Sequence, residues 1–189
     1  RELVRTIHTN IPEISLSTDV IVGFPGETEE QFEHTFSLLE EIKFDVVHAA
    51  AYSPRPGTIA WREYEDDVPS EVKKMRLNKI ETLQANVAAE INSKIQGVIV
   101  EVLVEGKKRG KWYGRTRSNK LVFFEHPQRG EGSCLGQLVE VEIEKTSPWA
   151  LQGVIASRSS EPFASCHSER SEESRLAQGK LRQEAARQF

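Results

Sequence analysis

The chain has 189 residues, 38% hydrophobic and 29% charged. That is enough apolar side chain for a core, but too little length for a complete eight-stranded β/α barrel, which needs about 250 residues. No run approaches the 18 or so apolar residues of a membrane-crossing helix, so no membrane association is expected. The net charge of −4 is unevenly spread: residues 1–96 hold 10 basic and 17 acidic side chains, whereas residues 97–156 hold 9 and 7.

In chain order, the stretch around Leu3, Val4 and Ile7 has an apolar period but no secretory h-region, and it reads as the interior of a longer protein. Asp19-Val-Ile-Val-Gly-Phe24 is a short apolar run ending at Pro25-Gly26, the pattern of a buried parallel strand and a tight turn. Thr28-Glu-Glu-Gln31 is a capping box, so a helix starts there, with Phe32, Phe36, Leu39 and Ile42 on one face. Asp45 to Tyr52 reads as the next strand, stopped by Ser53-Pro-Arg-Pro-Gly57. Strand, helix and strand with short connections make a βαβ unit.

Ser70 is expected to cap a long helix with Val72, Leu77, Ile80, Leu83, Val87, Ile91 and Ile95 on its apolar side, ended by Gly97. The period then changes. Five short strands are expected at Val98–Val104, near Trp112–Arg117, and at Lys120–Phe124, Gln137–Glu144 and Gln152–Ala156. Five short antiparallel strands in about 60 residues suggest a small closed barrel of the kind that binds oligonucleotides. From Ser157 the pattern fails. The tail 157–189 is low in complexity and expected to be disordered, with a transient helix between Glu172 and Arg187.

Two loops could hold a ligand. Gly23-Phe-Pro-Gly-Glu-Thr28 follows a strand and precedes a helix, where glycines allow close backbone approach. Tyr52-Ser-Pro-Arg-Pro-Gly-Thr58 follows the adjacent strand, and ligands of α/β sheets gather beyond the carboxyl ends of strands. Each loop is also readable as a structural turn, the first of them more readily than as a ligand loop, with Asp19 and Glu27 as solvated or capping acids and Arg55 as a surface charge. His34 is expected to face solvent, and His48 to be a core or pocket residue. No nucleophile, base and acid fall into a recognisable constellation. Cys134 and Cys166 lie far apart, which argues against a disulfide framework and against a zinc or iron–sulfur site built by this chain alone; a reducing cytoplasm is the expected compartment.

A third candidate is basic. Lys107, Lys108, Arg109, Lys111, Arg115, Arg117 and Lys120 occur with no acidic residue between them and with Trp112 and Tyr113 interleaved. Such a run on an acidic chain points either to an anionic partner or to a solvated face.

Ser17-Thr-Asp-Val-Ile-Val-Gly-Phe-Pro-Gly-Glu-Thr28 followed by Glu-Glu-Gln-Phe32, together with Tyr52-Ser-Pro-Arg-Pro-Gly-Thr58, closely resembles the later strands of the radical S-adenosylmethionine barrel in the methylthiotransferase family. Gly114-Arg-Thr-Arg-Ser-Asn-Lys120, Gly136-Gln-Leu-Val139 and Ser147-Pro-Trp-Ala-Leu151 resemble that family's RNA-binding TRAM barrel. The resemblance implies an α/β fold: the C-terminal part of a radical SAM β/α partial barrel with its linking helix (1–96), an OB-like TRAM barrel (97–156) and the tail. It implies S-adenosylmethionine as cofactor, at Asp19, Gly23, Phe24, Pro25, Gly26, Glu27, Tyr52, Ser53 and Arg55. It also implies two 4Fe-4S clusters whose cysteine ligands are absent from this chain, so that the chain alone cannot cleave the cofactor.

The same resemblance implies a tRNA anticodon stem-loop as partner, met by Lys107, Lys108, Arg109, Lys111, Trp112, Tyr113, Arg115, Arg117, Asn119 and Lys120, and a monomer. The Gly-Arg-Thr-Arg-x-Asn-Lys form looks most like the members that add a methylthio group to carbon 2 of N6-isopentenyladenosine beside the anticodon. Members acting on threonylcarbamoyladenosine or on a ribosomal protein are the alternatives, as is a non-catalytic RNA-binding module. Two strands are too few to close a β/α barrel and leave a parallel edge unpaired, which favours a truncated barrel over a complete scaffold.

Overall fold

A computed structural model describes residues 1–125 and 134–156. The disorder and transient helix expected in the tail, together with Cys166, His126 and His167, lie outside the described residues. Elements follow in the order α1 (Glu2–Asn10), β1 (Ser17–Val22), α2 (Glu29–Ile42), β2 (Val46–Ala51), α3 (Ile59–Glu63), α4 (Ser70–Ser93), β3 (Ile99–Lys108), β4 (Lys111–Thr116), β5 (Leu121–Glu125), β6 (Leu138–Thr146) and β7 (Leu151–Ile155). The short helices α1 and α3 were not foreseen in the sequence. Among the described residues no helix is long and apolar enough to cross a membrane.

β1 and β2 pair in parallel, Ser17 opposite Val46 through Val22 opposite Ala51. The capping box forms as expected: Thr28 accepts from the Gln31 N–H while the Gln31 side chain accepts from the Thr28 N–H. From that start α2 lays Phe32 and Leu39 on the sheet, where they join Val22 and Ile80 in a buried cluster flanked by Val20, Phe36, Val47 and Leu77. The period of two leaves the opposite face of the sheet open, and Ser17, Asp19, Ile21, Val46, His48 and Ala50 are exposed there. His48 is therefore not a core residue. His34 faces solvent as expected.

α4 departs from its sequence reading at both ends and along its buried face. Its N-cap is Pro69, which makes no side-chain cap, and Ser70 is already helical, its hydroxyl bonded to Glu71 at 3.0 Å. The helix ends at Ser93, before Gly97, whose φ of +77° turns the chain into β3. Its buried residues are Lys73, Arg76, Ile80, Gln84, Val87, Ala88 and Asn92, so four polar side chains share the stripe expected to be apolar.

The five later strands close a barrel in the order β3-β4-β5-β7-β6. Inward-pointing Val102, Val104, Val122, Phe124, Val141, Ile143 and Leu151 fill it together with Cys134. The strands are not all antiparallel: β5 and β7 run parallel, Val122 opposite Leu151, because β6 intervenes in sequence and returns the chain to the open side. Two glycines let the walls meet. A Cβ at Gly114 would lie 2.1 Å from the Leu103 carbonyl oxygen, and one at Gly153 would lie 2.1 Å from that of Glu142.

Candidate functional site

The two candidate ligand loops do lie side by side at the carboxyl ends of β1 and β2. Phe24 and Tyr52 meet edge to face with ring centroids 5.1 Å apart, and Tyr64 stands 6.4 Å from Phe24. Asp19 and Arg55 are exposed and have no ion-pair partner among the described residues. Ser53 is exposed as well, and Pro25 is half-buried.

The first loop is organised from within. Glu27 accepts the Gly23 N–H at 2.6 Å, Asp67 accepts the Gly26 N–H at 2.8 Å, and the Glu27 N–H donates to the Phe24 carbonyl at 2.9 Å. The Gly23, Gly26 and Glu27 amides are thus engaged by the chain itself. Nor is Glu27 a solvated acid. Its carboxylate also receives Arg76 at 2.7 Å, and Arg76, 4% exposed at its side chain, donates to Glu29 at 2.9 Å.

The glycines have reasons other than ligand approach. Gly26 adopts φ +79° in open space, a conformation that disfavours any Cβ. At Gly23 a Cβ would fall 2.3 Å from Lys73 Cγ, so the missing side chain makes room for the lysine stem. Lys73 then reaches the Tyr52 carbonyl at 3.4 Å, pairs with Asp66, and sets its ammonium 5.2 Å from the Tyr52 ring centroid. Lys73, Arg76, Asp66 and Asp67 were missed in the sequence. Helical spacing alone does not mark the two cations as buried, because a hydrophobic pattern places charged residues on the solvent side.

The basic run divides into two populations. Lys107 and Lys108 end β3, Arg109 and Gly110 make the turn with φ +52° and +84°, and Lys111 begins β4, so these residues form a hairpin tip. Among the described residues Lys107, Lys108 and Arg109 have no carboxylate partner, and the Lys107 ammonium lies 5.4 Å from the Trp112 ring centroid. Trp112 itself is half-buried and packs on the barrel core, while Tyr113 faces Phe123 at 6.2 Å between centroids. The others are paired: Lys111 with Glu125 at 3.5 Å, Arg115 with Glu105 at 3.6 Å, and Arg117 with Glu101 at 2.8 Å. Asn119, at φ +61°, holds Arg115 through its carbonyl at 3.0 Å.

Lys120 is set apart from the rest of the run. It is only 16% exposed and bonds Asp45, just ahead of β2, at 3.0 Å. Asp45 also accepts the Leu16 N–H at 3.1 Å, so one carboxylate ties the start of the parallel pair to the barrel. α4 makes a second tie: Gln84 donates to the Asp45 carbonyl at 2.9 Å, and Asn92 donates to the Ser147 and Pro148 carbonyls at 2.8 and 3.2 Å.

Residues 94–156 match the TRAM domain. The chain is similar to proteins named tRNA-2-methylthio-N(6)-dimethylallyladenosine synthase. It is 51% identical over 157 residues to that of Chloroflexus aurantiacus, covering 82% of this chain and 33% of the relative. It is 52% identical over 168 residues to that of a Roseiflexus species (87% and 34%), and 42% identical over 154 residues to that of Aquifex aeolicus (82% and 34%). The chain spans about a third of the length of the curated relatives it matches.

Proposed function

We propose that this chain is the C-terminal part of a cytoplasmic tRNA methylthiotransferase that places a methylthio group on carbon 2 of N6-isopentenyladenosine beside the anticodon. In this reading β1 and β2 are the last strands of a radical S-adenosylmethionine β/α barrel, and residues 97–156 are its RNA-binding module. The observation that carries the reading is the 51% identity over 157 residues, 82% of this chain, to a synthase of that name.

The residues at the strand ends fit S-adenosylmethionine by their chemistry. Asp19 and Arg55 are exposed charges of the two signs a zwitterionic, cationic ligand would need, and the Phe24–Tyr52 pair offers ring surface at the strand ends. Ser53 supplies a hydroxyl beside Tyr52, whereas Gly23, Pro25, Gly26 and Glu27 shape the loop. When bound, the cofactor would supply the one-electron chemistry; these residues bind and orient it. They do not fit a 4Fe-4S cluster. Among the described residues Cys134 is the one thiol, and it lies in the barrel core. Cluster ligands therefore belong elsewhere in the full enzyme.

For the RNA, the hairpin tip is the best placed contact for an anion, because Lys107, Lys108 and Arg109 have no carboxylate to give up among the described residues. Lys111, Arg115 and Arg117 contribute after exchanging Glu125, Glu105 and Glu101. Tyr113 is the aromatic whose ring lies outside the barrel core, and Trp112 is the wall beneath Lys107. The partner is the anticodon stem-loop and the protein acts as a monomer. Nucleoside analysis by liquid chromatography and mass spectrometry tests the reading. Deleting the reading frame should remove the 2-methylthio form from tRNA and accumulate N6-isopentenyladenosine; an unchanged nucleoside profile would refute it.

A further inference from the structure

We propose that Lys73 and Arg76 of α4 are positioning residues for the cofactor end of the enzyme, holding both candidate loops in their ligand-receiving shape without touching the ligand. The inference rests on the reading that those loops bind S-adenosylmethionine. It goes beyond that reading by assigning a role to two buried cations of the linking helix.

A lysine and an arginine with side chains 8% and 4% exposed are costly unless every charge is met. Both are met, and their polar partners belong to the two loops, to the segment that joins them to α4 and, in Glu29, to the first turn of α2 that follows the first loop. Arg76 grips the first loop through Glu27 and Glu29 and through the Glu27 carbonyl at 3.2 Å. Because Glu27 also receives the Gly23 N–H, the guanidinium fixes the oxygen that closes the turn. Lys73 grips the second loop at the Tyr52 carbonyl and pins Asp66. The next residue, Asp67, receives the Gly26 N–H, so the lysine also steadies the first loop from its far side.

Gly23 records the same arrangement. Its φ of +67° and the Lys73 stem crossing where a Cβ would sit favour glycine there, for the passage of a side chain from α4. A preorganised loop receives its ligand without the cost of ordering, so loosening these grips should weaken affinity more than it weakens the fold.

Three variants test this: K73M, which keeps the stem over Gly23; R76Q; and D67A, at an exposed position that spares the fold. In the 189-residue chain, hydrogen exchange should quicken by roughly tenfold at the Gly23 amide in R76Q and at the Gly26 amide in K73M and D67A, with exchange in the barrel strands unchanged. In the complete enzyme, the S-adenosylmethionine dissociation constant measured by calorimetry should rise roughly tenfold, while affinity for an anticodon stem-loop stays as in the parent. Folded variants with parental cofactor affinity would overturn the proposal. So would faster exchange spread evenly over the barrel, the mark of a merely structural role. A complete parent enzyme that binds no S-adenosylmethionine would overturn the underlying reading as well, so the two failures are distinguishable. Should K73M or R76Q fail to fold, R76K, which keeps the charge but loses the forked grip on Glu27 and Glu29, decides by the same two readouts.

Discussion

Replacing Lys120 by Met separates two roles that the basic run leaves entangled. The ammonium sits 3.0 Å from the Asp45 carboxylate with both side chains about one-sixth exposed. At an effective dielectric near 20, two unit charges at that separation attract by about 5 kcal/mol, and removing one partner of a fully buried pair costs about 3–5 kcal/mol. Here some water reaches both groups, and Asp45 keeps the Leu16 N–H at 3.1 Å, so we expect a loss of about 2–3 kcal/mol. In urea unfolding that should lower the midpoint by about 1 M or more. D45N should lose a similar amount, and the double variant should lose much less than the sum, since each single change leaves the other charge unmatched. The salt dependence of binding to an anticodon stem-loop should stay unchanged, because Lys120 is committed to Asp45. A cation on a phosphate of single-stranded RNA contributes about 0.7 to that logarithmic slope. A K120M variant with the parental urea midpoint and a slope smaller by about 0.7 would refute the reasoning and make Lys120 an RNA contact.

Replacing Lys107, Lys108 and Arg109 together by Ala should flatten the same slope by about 2, whereas R115A/R117A should flatten it by less than about 1, since those arginines already face Glu105 and Glu101; equal effects in a salt titration would contradict the division. Gly153→Ala should destabilise the barrel by about 3 kcal/mol or more in a denaturant titration, because the Glu142 carbonyl it would meet at 2.1 Å is held in the β6–β7 ladder and cannot retreat. Glu90 is held below its ordinary value of 4.5 by the hydrogen bond from Lys43, then by the charge of Lys43 and that of Lys94. A depressed carboxyl stabilises the fold above its unfolded-state value and ceases to as pH falls through its folded-state value. The stability gap between the parent and E90Q should therefore be present at neutral pH and vanish in acid; a gap that widens on acidification would contradict the assignment.

Much of the fold was legible because it depends on local chemistry. The capping box at Thr28 and Gln31 and the short strand runs closed by turn residues are set within a few residues. They place α2, the parallel pair and the barrel strands with no knowledge of partners. The candidate loops were legible for the same reason, since each follows directly from its strand. Three features were decided by the tertiary structure alone. The parallel pairing of β5 with β7 depends on how the barrel closes, which strand patterns do not encode. The division of one basic run into a hairpin tip with no carboxylate partner among the described residues and a set of paired side chains depends on carboxylates up to 75 residues away, as Lys120 and Asp45 show. The stripe of Lys73, Arg76, Gln84 and Asn92 is buried because each polar head finds a partner brought from another element, and a hydrophobic pattern takes such residues for solvent-facing ones.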